Sequence, residues 1–328
     1  MTKRRTNPLI TVLLCAFAAV VLTIIILWFF VGYRYISDSA HGIKFLGLTE
    51  NSLARDGKLY YSNGAKGTLD SETSTILLDN GEQYTGDLSG FLPHGKGILK
   101  KADGTVYDGE FDMGSCTGIA SITYKTGDKY EGEVDGGKRH GFGTYTVRDG
   151  ATYSGYFTEN QKNGRGKSTF GDGSVYIGEY KNSIKDGFGA YLFKNGDIYV
   201  GQFKDDKRTG QGIYIWAKSE DFSSEFDSLF NDVVFDKAFA EEFFKYFSTD
   251  FPRLFSDGES LPELQSTLSF WQNFEKILTR NQVECYVGEF LDNLLSGKGT
   301  YKWLSGRVLK TEFENGEIKR QENSDTDA

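Results

Sequence analysis

A unit of twenty-three residues recurs without slippage between Tyr84 and Gly212, and it constrains the fold more than any other feature of the chain. Each unit begins with a tyrosine that is followed two residues later by a glycine; these tyrosines are Tyr84, Tyr107, Tyr130, Tyr153, Tyr176 and Tyr199. A Gly-x-Gly pair starts eleven residues after each tyrosine, except that Ala120 replaces the second glycine of one pair. A fixed period of this length predicts a stack of supersecondary units and not one globular core.

The residues inside each unit alternate with a period of two, which is typical of β-strands. Tyr153, Gly155 and Phe157 would share one face of a strand, so we expect the glycines to leave room for aromatic rings to lie flat. An Asn-Gly or Asp-Gly dipeptide follows the second strand of most units, and this predicts a hairpin turn in which both residues take positive φ. The fold class is therefore mainly β, an elongated single-layer antiparallel sheet of repeated β-hairpins.

The pattern Tyr-x-Gly-x-Phe followed by Gly-x-Gly-x-Tyr resembles the MORN repeat family. The resemblance covers 84–216 and returns at 286–306, and a closing half-unit at 309–316 has Leu309 and Thr311 in place of tyrosine and glycine. The resemblance implies a non-catalytic module used for protein–protein contacts, self-association or attachment near membranes. Lipid binding has been proposed for some members of the family.

The rest of the chain is read as attachments to this array. The predicted division is a cytoplasmic tail at 1–8, a transmembrane helix at 9–31, a linker with a degenerate repeat at 32–74, the array at 75–216, an acidic Phe-rich helical insertion at 217–282, a final repeat and cap at 283–316 and a disordered tail at 317–328. The degenerate repeat would begin at Tyr61, twenty-three residues before Tyr84. Terminal repeats are often atypical because they cap the stack.

The segment from Leu9 to Val31 has no charged residue, and twenty-three helical residues span about 34 Å, enough to cross a bilayer core. A cleaved signal peptide is the alternative, but cleavage after Ala18 would leave an apolar run at the new N-terminus. Lys3, Arg4 and Arg5 precede the segment, and this excess of positive charge predicts a cytoplasmic N-terminus with the array on the other side of the membrane.

The insertion has helical periodicity, because Phe222, Phe226 and Phe230 are four residues apart and a second run of phenylalanines has the same spacing. A further helix is expected over 264–278. The apolar stripe has three interpretations: packing on the aromatic face of the sheet, which we favour, docking of a partner helix, or binding to a membrane surface.

Composition and motifs argue against several kinds of site. The net charge of -9 disfavours nucleic acid. The three cysteines are too scattered for a disulfide framework, and His94 and His140 occupy a position that other units fill with small polar residues. We expect no catalytic constellation, no cofactor and no metal site. A ladder of acidic residues (Asp87, Glu110, Glu133, Glu179, Glu289) is read as a solvated face, with docking of a basic partner as the alternative.

The function predicted from the sequence is a membrane-anchored, non-catalytic scaffold that binds protein partners and has the capacity to form homo-oligomers. The candidate partner-binding residues on the aromatic face are Tyr130, Tyr153, Tyr176, Tyr199 and Phe203. The alternative is a phospholipid-binding tether between two membranes, which the acidic charge disfavours because anionic headgroups would repel it. An enzymatic activity carried by the insertion is the third and weakest hypothesis.

Overall fold

The structure is a computed structural model, and it describes residues 8–29, 31–217, 220–249, 269–280 and 283–319. The chain divides into two compact units, Met1–Lys125 and Thr126–Ala328, which we call unit 1 and unit 2. The helices are α1 (Pro8–Phe29) in unit 1 and α2 (Glu220–Asn231), α3 (Lys237–Thr249) and α4 (Ser269–Arg280) in unit 2.

The described residues of unit 1 form nine strands, each of which pairs antiparallel with the next along the chain. They are β1 (Tyr33–Asp38), β2 (Ile43–Glu50), β3 (Leu53–Tyr61), β4 (Lys66–Asp70), β5 (Thr75–Leu78), β6 (Gln83–Ser89), β7 (Leu92–Lys100), β8 (Val106–Asp112) and β9 (Ser115–Thr123).

Unit 2 has an up-and-down order of its own, in which each strand pairs antiparallel with the next along the chain. Its strands are β10 (Lys129–Asp135), β11 (Lys138–Thr146), β12 (Thr152–Thr158), β13 (Gln161–Thr169), β14 (Val175–Lys181), β15 (Ile184–Leu192), β16 (Ile198–Lys204), β17 (Lys207–Trp216), β18 (Glu284–Leu291), β19 (Leu294–Lys302), β20 (Val308–Glu314) and β21 (Glu317–Ile318). The predicted antiparallel sheet of repeated hairpins is confirmed within each unit.

The segment expected to be a linker, 32–74, forms β1 to β4 and ends beside β5. Phe45 takes the place of the repeat tyrosine here, because its ring lies where side chains on Gly47 and Gly57 would otherwise stand. Phe45 is fully buried. The degenerate unit is thus centred on Phe45 and not on Tyr61, and the sequence pattern missed it because the tyrosine is absent.

The Asn-Gly and Asp-Gly turns differ from the prediction, because only the glycine takes positive φ. In the turn after β13, Gly173 has φ +89°, while the Asp172 carboxylate accepts a hydrogen bond from the amide of Ser174 at 3.0 Å. Two consecutive residues with positive φ occur instead at the other end of the hairpins, for example at Glu159 and Asn160. In Asn-Gly and Asp-Gly turns of this kind the Asn or Asp side chain accepts a hydrogen bond from the turn backbone, so the turn closes without a second residue of positive φ.

The described helices of the insertion cover one face of unit 2, and it is the face opposite to the aromatic one that the sequence analysis favoured. Phe226, Phe230, Phe243 and Trp271 are fully buried against the face opposite to the repeat tyrosines. That face, the insert face, carries the apolar residues Val175, Ile177, Ala190, Leu192, Ile198, Val200, Ile213 and Ile215. It needs a cover because β-branched side chains project from it, whereas tyrosine rings already cover the glycines of the other face.

The helices of the insertion also differ from the prediction in extent, since α4 runs over Ser269–Arg280 and the expected 264–278 begins outside the described residues. Edge-to-face ring contacts join α2 and α4, with the ring centres of Phe226 and Phe274 5.2 Å apart and those of Phe230 and Phe270 5.3 Å apart. The side chain of Phe222, which the periodicity included, lies outside the described residues.

The predictions for the two ends of the chain fall only partly within the described residues. The tail at 1–8 lies outside them except for Pro8, which begins α1. Across the described parts of the chain, no helix has both the length and the apolar character that crossing a membrane requires. At the other end, the tail expected to be disordered from 317 begins with β21, which pairs with β20, and residues 320–328 lie outside the described part.

Candidate protein-binding surface

The five aromatic residues predicted to contact a partner form the buried floor of their face, which we call the tyrosine face. Tyr130, Tyr153, Tyr176 and Tyr199 are at most 1% exposed and Phe203 is 4% exposed. The Tyr153 ring lies over paired glycines, because a Cβ added to Gly166 would stand 2.4 Å from its Cε2. The prediction that glycines make room for flat rings is thereby confirmed, and these rings pack within the protein rather than against a partner.

Hydrogen bonds fix the rings of the floor in place. The hydroxyl of Tyr130 donates to the carbonyl of Glu133 at 2.6 Å, and the hydroxyl of each other repeat tyrosine in unit 2 bonds the carbonyl three residues later, in Tyr153, Tyr176, Tyr199 and Tyr286. Burial raises the pKa of all four of the latter hydroxyls, so they stay neutral donors at physiological pH.

Three carboxylates of the acidic ladder accept hydrogen bonds from backbone amides. Glu133 accepts a hydrogen bond from the amide of Phe142 at 3.2 Å, and Glu179 accepts one from the amide of Phe188 at 2.8 Å. Asp87 does the same for Lys96 at 3.1 Å. These amides follow the first glycine of each Gly-x-Gly pair, where the strand bulges and the ladder of backbone bonds is interrupted. Asp87, Glu133 and Glu179 therefore each stabilise the backbone at a bulge.

Four cations stand in register on the tyrosine face, and the sequence analysis did not identify them. They lie nine residues after successive repeat tyrosines and form the cation column: Arg139, Lys162, Lys185 and Arg208. Lys162 lies with its ammonium 4.6 Å from the centre of the Tyr153 ring and donates to the Ser168 hydroxyl at 3.2 Å. All four side chains are half-buried, so each presents part of its surface to solvent.

The cations of the column differ in whether a carboxylate lies at ion-pairing distance. Lys185 pairs with Asp206 at 2.9 Å. Within the described ranges, Lys162 and Arg208 have no carboxylate at ion-pairing distance, and Arg208 donates to the carbonyl of Asn293 at 2.8 Å. Burial lowers the pKa of Lys162 to about 8, because the ammonium loses hydration between aromatic rings.

A row of half-buried aromatic residues runs beside the cation column. We call it the aromatic ladder, and its members are Phe170, Tyr191, Phe193, Tyr214, Trp216, Tyr301 and Trp303. Consecutive ring centres lie between 4.3 and 6.0 Å apart, from Phe170 on Tyr191 to Tyr301 on Trp303. The guanidinium of Arg208 lies 4.9 Å from the Tyr214 ring, so column and ladder form one surface.

Acids hold two tyrosine hydroxyls of the ladder, since Asp197 accepts from Tyr214 at 2.7 Å and Glu284 accepts from Tyr301. Tyr145, which lies on the same face outside the ladder, donates to Asp128 at 2.6 Å. The bond from Tyr145 lowers the pKa of the Asp128 carboxyl. These rings are oriented by bonds within the protein, and a preorganised surface loses less conformational entropy when it binds.

Two lysines attach the insertion to the sheet on the insert face. Lys167 donates to the carbonyls of Asn231 and Val233, at 2.9 and 2.8 Å, at the end of α2. Lys237 of α3 pairs with Glu133 at 2.9 Å, and this pair lowers the pKa of the Glu133 carboxyl. The ammonium of Lys167 lies at the C-terminal end of α2, where a positive charge also interacts favourably with the helix dipole.

An open depression of about 510 Å³ lies at the edge of the insertion. Its walls include Tyr156, Phe157, Arg165, Glu179 and Glu241. Arg165 is occupied within it, because its guanidinium lies 4.6 Å from the Phe244 ring and its Nε lies 3.9 Å from Glu179. The guanidinium of Arg165 is therefore already engaged by groups of the protein itself.

The residues considered for chemistry stand apart from each other. His94 faces Asp112 at 3.3 Å, and His140 lies beside the depression in unit 2. Among the residues that the structure describes, no three His, Cys, Asp or Glu side chains are grouped as a metal site requires. The three cysteines are free, and burial raises the pKa of Cys116 and Cys285 to about 11.

Comparison with known proteins identifies the repeats. The MORN repeat family matches residues 84–106, 107–129, 130–152, 153–175, 176–198, 199–219 and 286–306. No curated protein matches the chain.

Solved structures similar to this chain include the TCP10 domain of CPAP from Danio rerio in complex with a STIL peptide, at 11% identity, 79% of this chain, 94% of that chain and a TM-score of 0.34. The SAS-4 TCP domain of Drosophila melanogaster in complex with a proline-rich motif of Ana2 matches at 12% identity, 51% of this chain, 86% of that chain and a TM-score of 0.27.

Proposed function

Because the chain belongs to the MORN repeat family, we propose that it is a non-catalytic binding protein whose tyrosine face in unit 2 recognises a protein partner. The observation that carries this proposal is the aromatic ladder beside the cation column, both half-exposed on a face that the described helices of the insertion do not cover. Tryptophan, tyrosine and arginine are the residues that most often dominate the energy of protein interfaces.

The arrangement supports binding more than catalysis. The thiols of Cys116 and Cys285 are buried and stay protonated at physiological pH, so these two are poor nucleophiles. The tyrosine hydroxyls of the floor are bonded to carbonyls and keep their protons. The non-catalytic role is tested by the absence of turnover in the purified full chain and by the binding experiment below.

We propose in addition that the chain is held at a membrane by its N-terminal segment, on the strength of the sequence from Leu9 to Val31, of which the structure describes only part. Side chains of α1 such as Leu13 and Phe17 are 61% and 68% exposed, which is unfavourable in water. The charge distribution around the segment favours a cytoplasmic N-terminus and an array on the opposite side.

The orientation is tested by labelling. A cysteine placed at Ser324, with Cys116 and Cys285 replaced, is exposed to a membrane-impermeant thiol reagent on intact cells. Labelling of intact cells supports the proposed orientation, and labelling only after lysis contradicts it. Recovery of the chain in the soluble fraction after lysis contradicts the anchor itself.

The binding surface is tested by photo-crosslinking in the native host. A photoreactive phenylalanine analogue replaces Trp303 on the aromatic ladder, and the control replaces the exposed Lys310, whose partner in the sheet is Thr300 on the insert face. We expect a protein crosslink at Trp303 that is absent at Lys310 and is lost when Trp216→Ala is added. Equal crosslinking at both positions, or crosslinks to lipid alone, would show that this face is not the protein-binding surface.

A further inference from the structure

The cation column has a spacing that is set by the sheet. Successive members lie twenty-three residues apart on alternate strands, β11, β13, β15 and β17, which are joined in sequence by antiparallel pairing. Since neighbouring strands lie about 4.8 Å apart, equivalent residues repeat every ~9.6 Å. Four cations therefore extend over ~29 Å, and the rings of the aromatic ladder follow the same period.

Few polypeptide conformations repeat their side chains at this distance. A polyproline II helix has three residues per turn and returns to the same side every ~9.3 Å, so three turns give ~28 Å and stay within ~1 Å of the column. Seven residues of an α-helix advance ~10.5 Å, and three such steps overshoot the column by ~3 Å. A β-strand returns to the same side every ~6.7 Å and loses register after one step.

The chemistry of the surface specifies the side chains of the occupant. Aromatic grooves are the usual docking surfaces for proline-rich segments, because prolines pack on the rings and the segment is already extended before it binds. The cation column presents one positive charge per turn of such a segment and so complements negative charge at that period. Lys185 in the middle is paired with Asp206, whereas Lys162 and Arg208, which lie two turns apart, have no carboxylate at ion-pairing distance among the described residues. The arrangement thus combines apolar contacts and charge contacts with one period.

We propose that the tyrosine face of unit 2 binds an acidic polyproline II segment, with a carboxylate side chain at every third residue facing the cation column and prolines on the aromatic ladder. The proposal rests on the proposed function, because it names the chemistry of the partner that this face would recognise. The segment runs across the strands, along the direction in which the repeats succeed one another.

The test uses the full chain in detergent micelles and three synthetic peptides of equal length. The first repeats Pro-Pro-Glu, the second repeats Pro-Pro-Lys, and the third has the composition of the first with the glutamates grouped together. We expect the first peptide to bind, and the other two to bind at least about tenfold more weakly. Calorimetric titration measures the affinities, and the affinity of the first peptide should fall as salt is raised.

Variants assign the binding to the column. Arg208→Gln should weaken the Pro-Pro-Glu peptide about tenfold, while Arg208→Lys, which keeps the charge, should retain most of the affinity. Because Arg208 also bonds the carbonyl of Asn293, Trp303→Leu serves as a second variant on the exposed ladder. The matched control is Lys204→Gln, which removes an exposed cation whose partner is Asp186 and should leave binding unchanged.

The outcomes separate this inference from the proposed function. Equal binding of the Pro-Pro-Glu and grouped peptides, or an effect of Lys204→Gln as large as that of Arg208→Gln, would overturn the proposed chemistry. Failure of all peptides together with a Trp303-specific protein crosslink would also overturn it, while leaving the binding role of the face intact. Failure of both experiments would remove the proposed function as well.

Discussion

The contact between each repeat tyrosine and its paired glycines can be tested at one position with a control in the same repeat. A Cβ on Gly166 would lie 2.4 Å from Cε2 and 2.5 Å from Cζ of Tyr153, whereas a Cβ on Gly171 would meet nothing within 4 Å. Neither glycine has a φ in the left-handed region, so alanine is compatible with the backbone at both positions. The two substitutions therefore differ in the ring contact.

The expected cost of Gly166→Ala follows from three effects. Forcing a methyl group against a packed ring costs about 1–3 kcal/mol. Displacing the Tyr153 ring also weakens its 3.0 Å hydrogen bond to the carbonyl of Tyr156, at about 1 kcal/mol. Restricting the unfolded chain recovers about 0.4–1 kcal/mol. The net destabilisation is about 2 kcal/mol, while Gly171→Ala should be neutral or slightly stabilising.

Hydrogen exchange of backbone amides in β12 and β13 of the full chain measures this effect, because arrays of repeats do not always unfold in one step. Equal protection in Gly166→Ala and Gly171→Ala would refute the argument. The double variant Tyr153→Leu with Gly166→Ala adds a further check: removing the ring should relieve most of the cost of the methyl group, so the two changes should be far from additive.

Three further predictions address charge and hydrogen bonding. Burial lowers the pKa of Lys162 and Lys167 to about 8, so the unfolded chain binds more protons than the folded chain between pH 8 and 10. The free energy of unfolding should therefore rise across this window, by up to about 3 kcal/mol for Lys162 and by less for Lys167, and the melting temperature should rise with it. Above about pH 10 it should fall, because the floor tyrosines have raised pKa values, and Lys162→Met should flatten the rise. Lys167→Gln should loosen α2 by about 2 kcal/mol, seen as faster hydrogen exchange in α2, because two carbonyls lose a charged donor; unchanged exchange would contradict the attachment. Tyr214→Phe should cost about 1–3 kcal/mol, since the buried Asp197 loses a 2.7 Å bond, and Tyr191→Phe, whose hydroxyl lies 3.2 Å from Ser174, should cost less in the same denaturation assay.

The repeats could be predicted from the sequence because their fold is local: a tyrosine, two glycines and a turn determine each hairpin without reference to the rest of the chain. The unit around Phe45 escaped this reasoning since phenylalanine replaces tyrosine, although Gly47 and Gly57 still lie under its ring. Local patterns identify a unit only while its most recognisable residue is kept.

The face covered by the insertion was predicted wrongly for a physical reason that the sequence does contain. Val175, Ile177 and Val200 alternate with the tyrosines in the middle units and make the second face apolar too. The aromatic residues suggested the tyrosine face, but on that face the tyrosine rings already pack over the glycines and need no further cover. The cation column was missed in a similar way, because Lys162 and Arg208 are unremarkable until the pairing of strands brings them into one row.

The junction between β17 and β18 has a consequence for how such a protein can change. Trp216 and Glu284 are direct partners in the sheet, so the two ends of the intervening segment start only about 5 Å apart. The junction is therefore an insertion point: a peptide of any length whose two ends lie this close together can join β17 to β18 without changing the strand register of the neighbouring hairpins. Residues far apart in the sequence are adjacent in space at this point, so the inserted segment can change during evolution while the pairing of the flanking strands is kept.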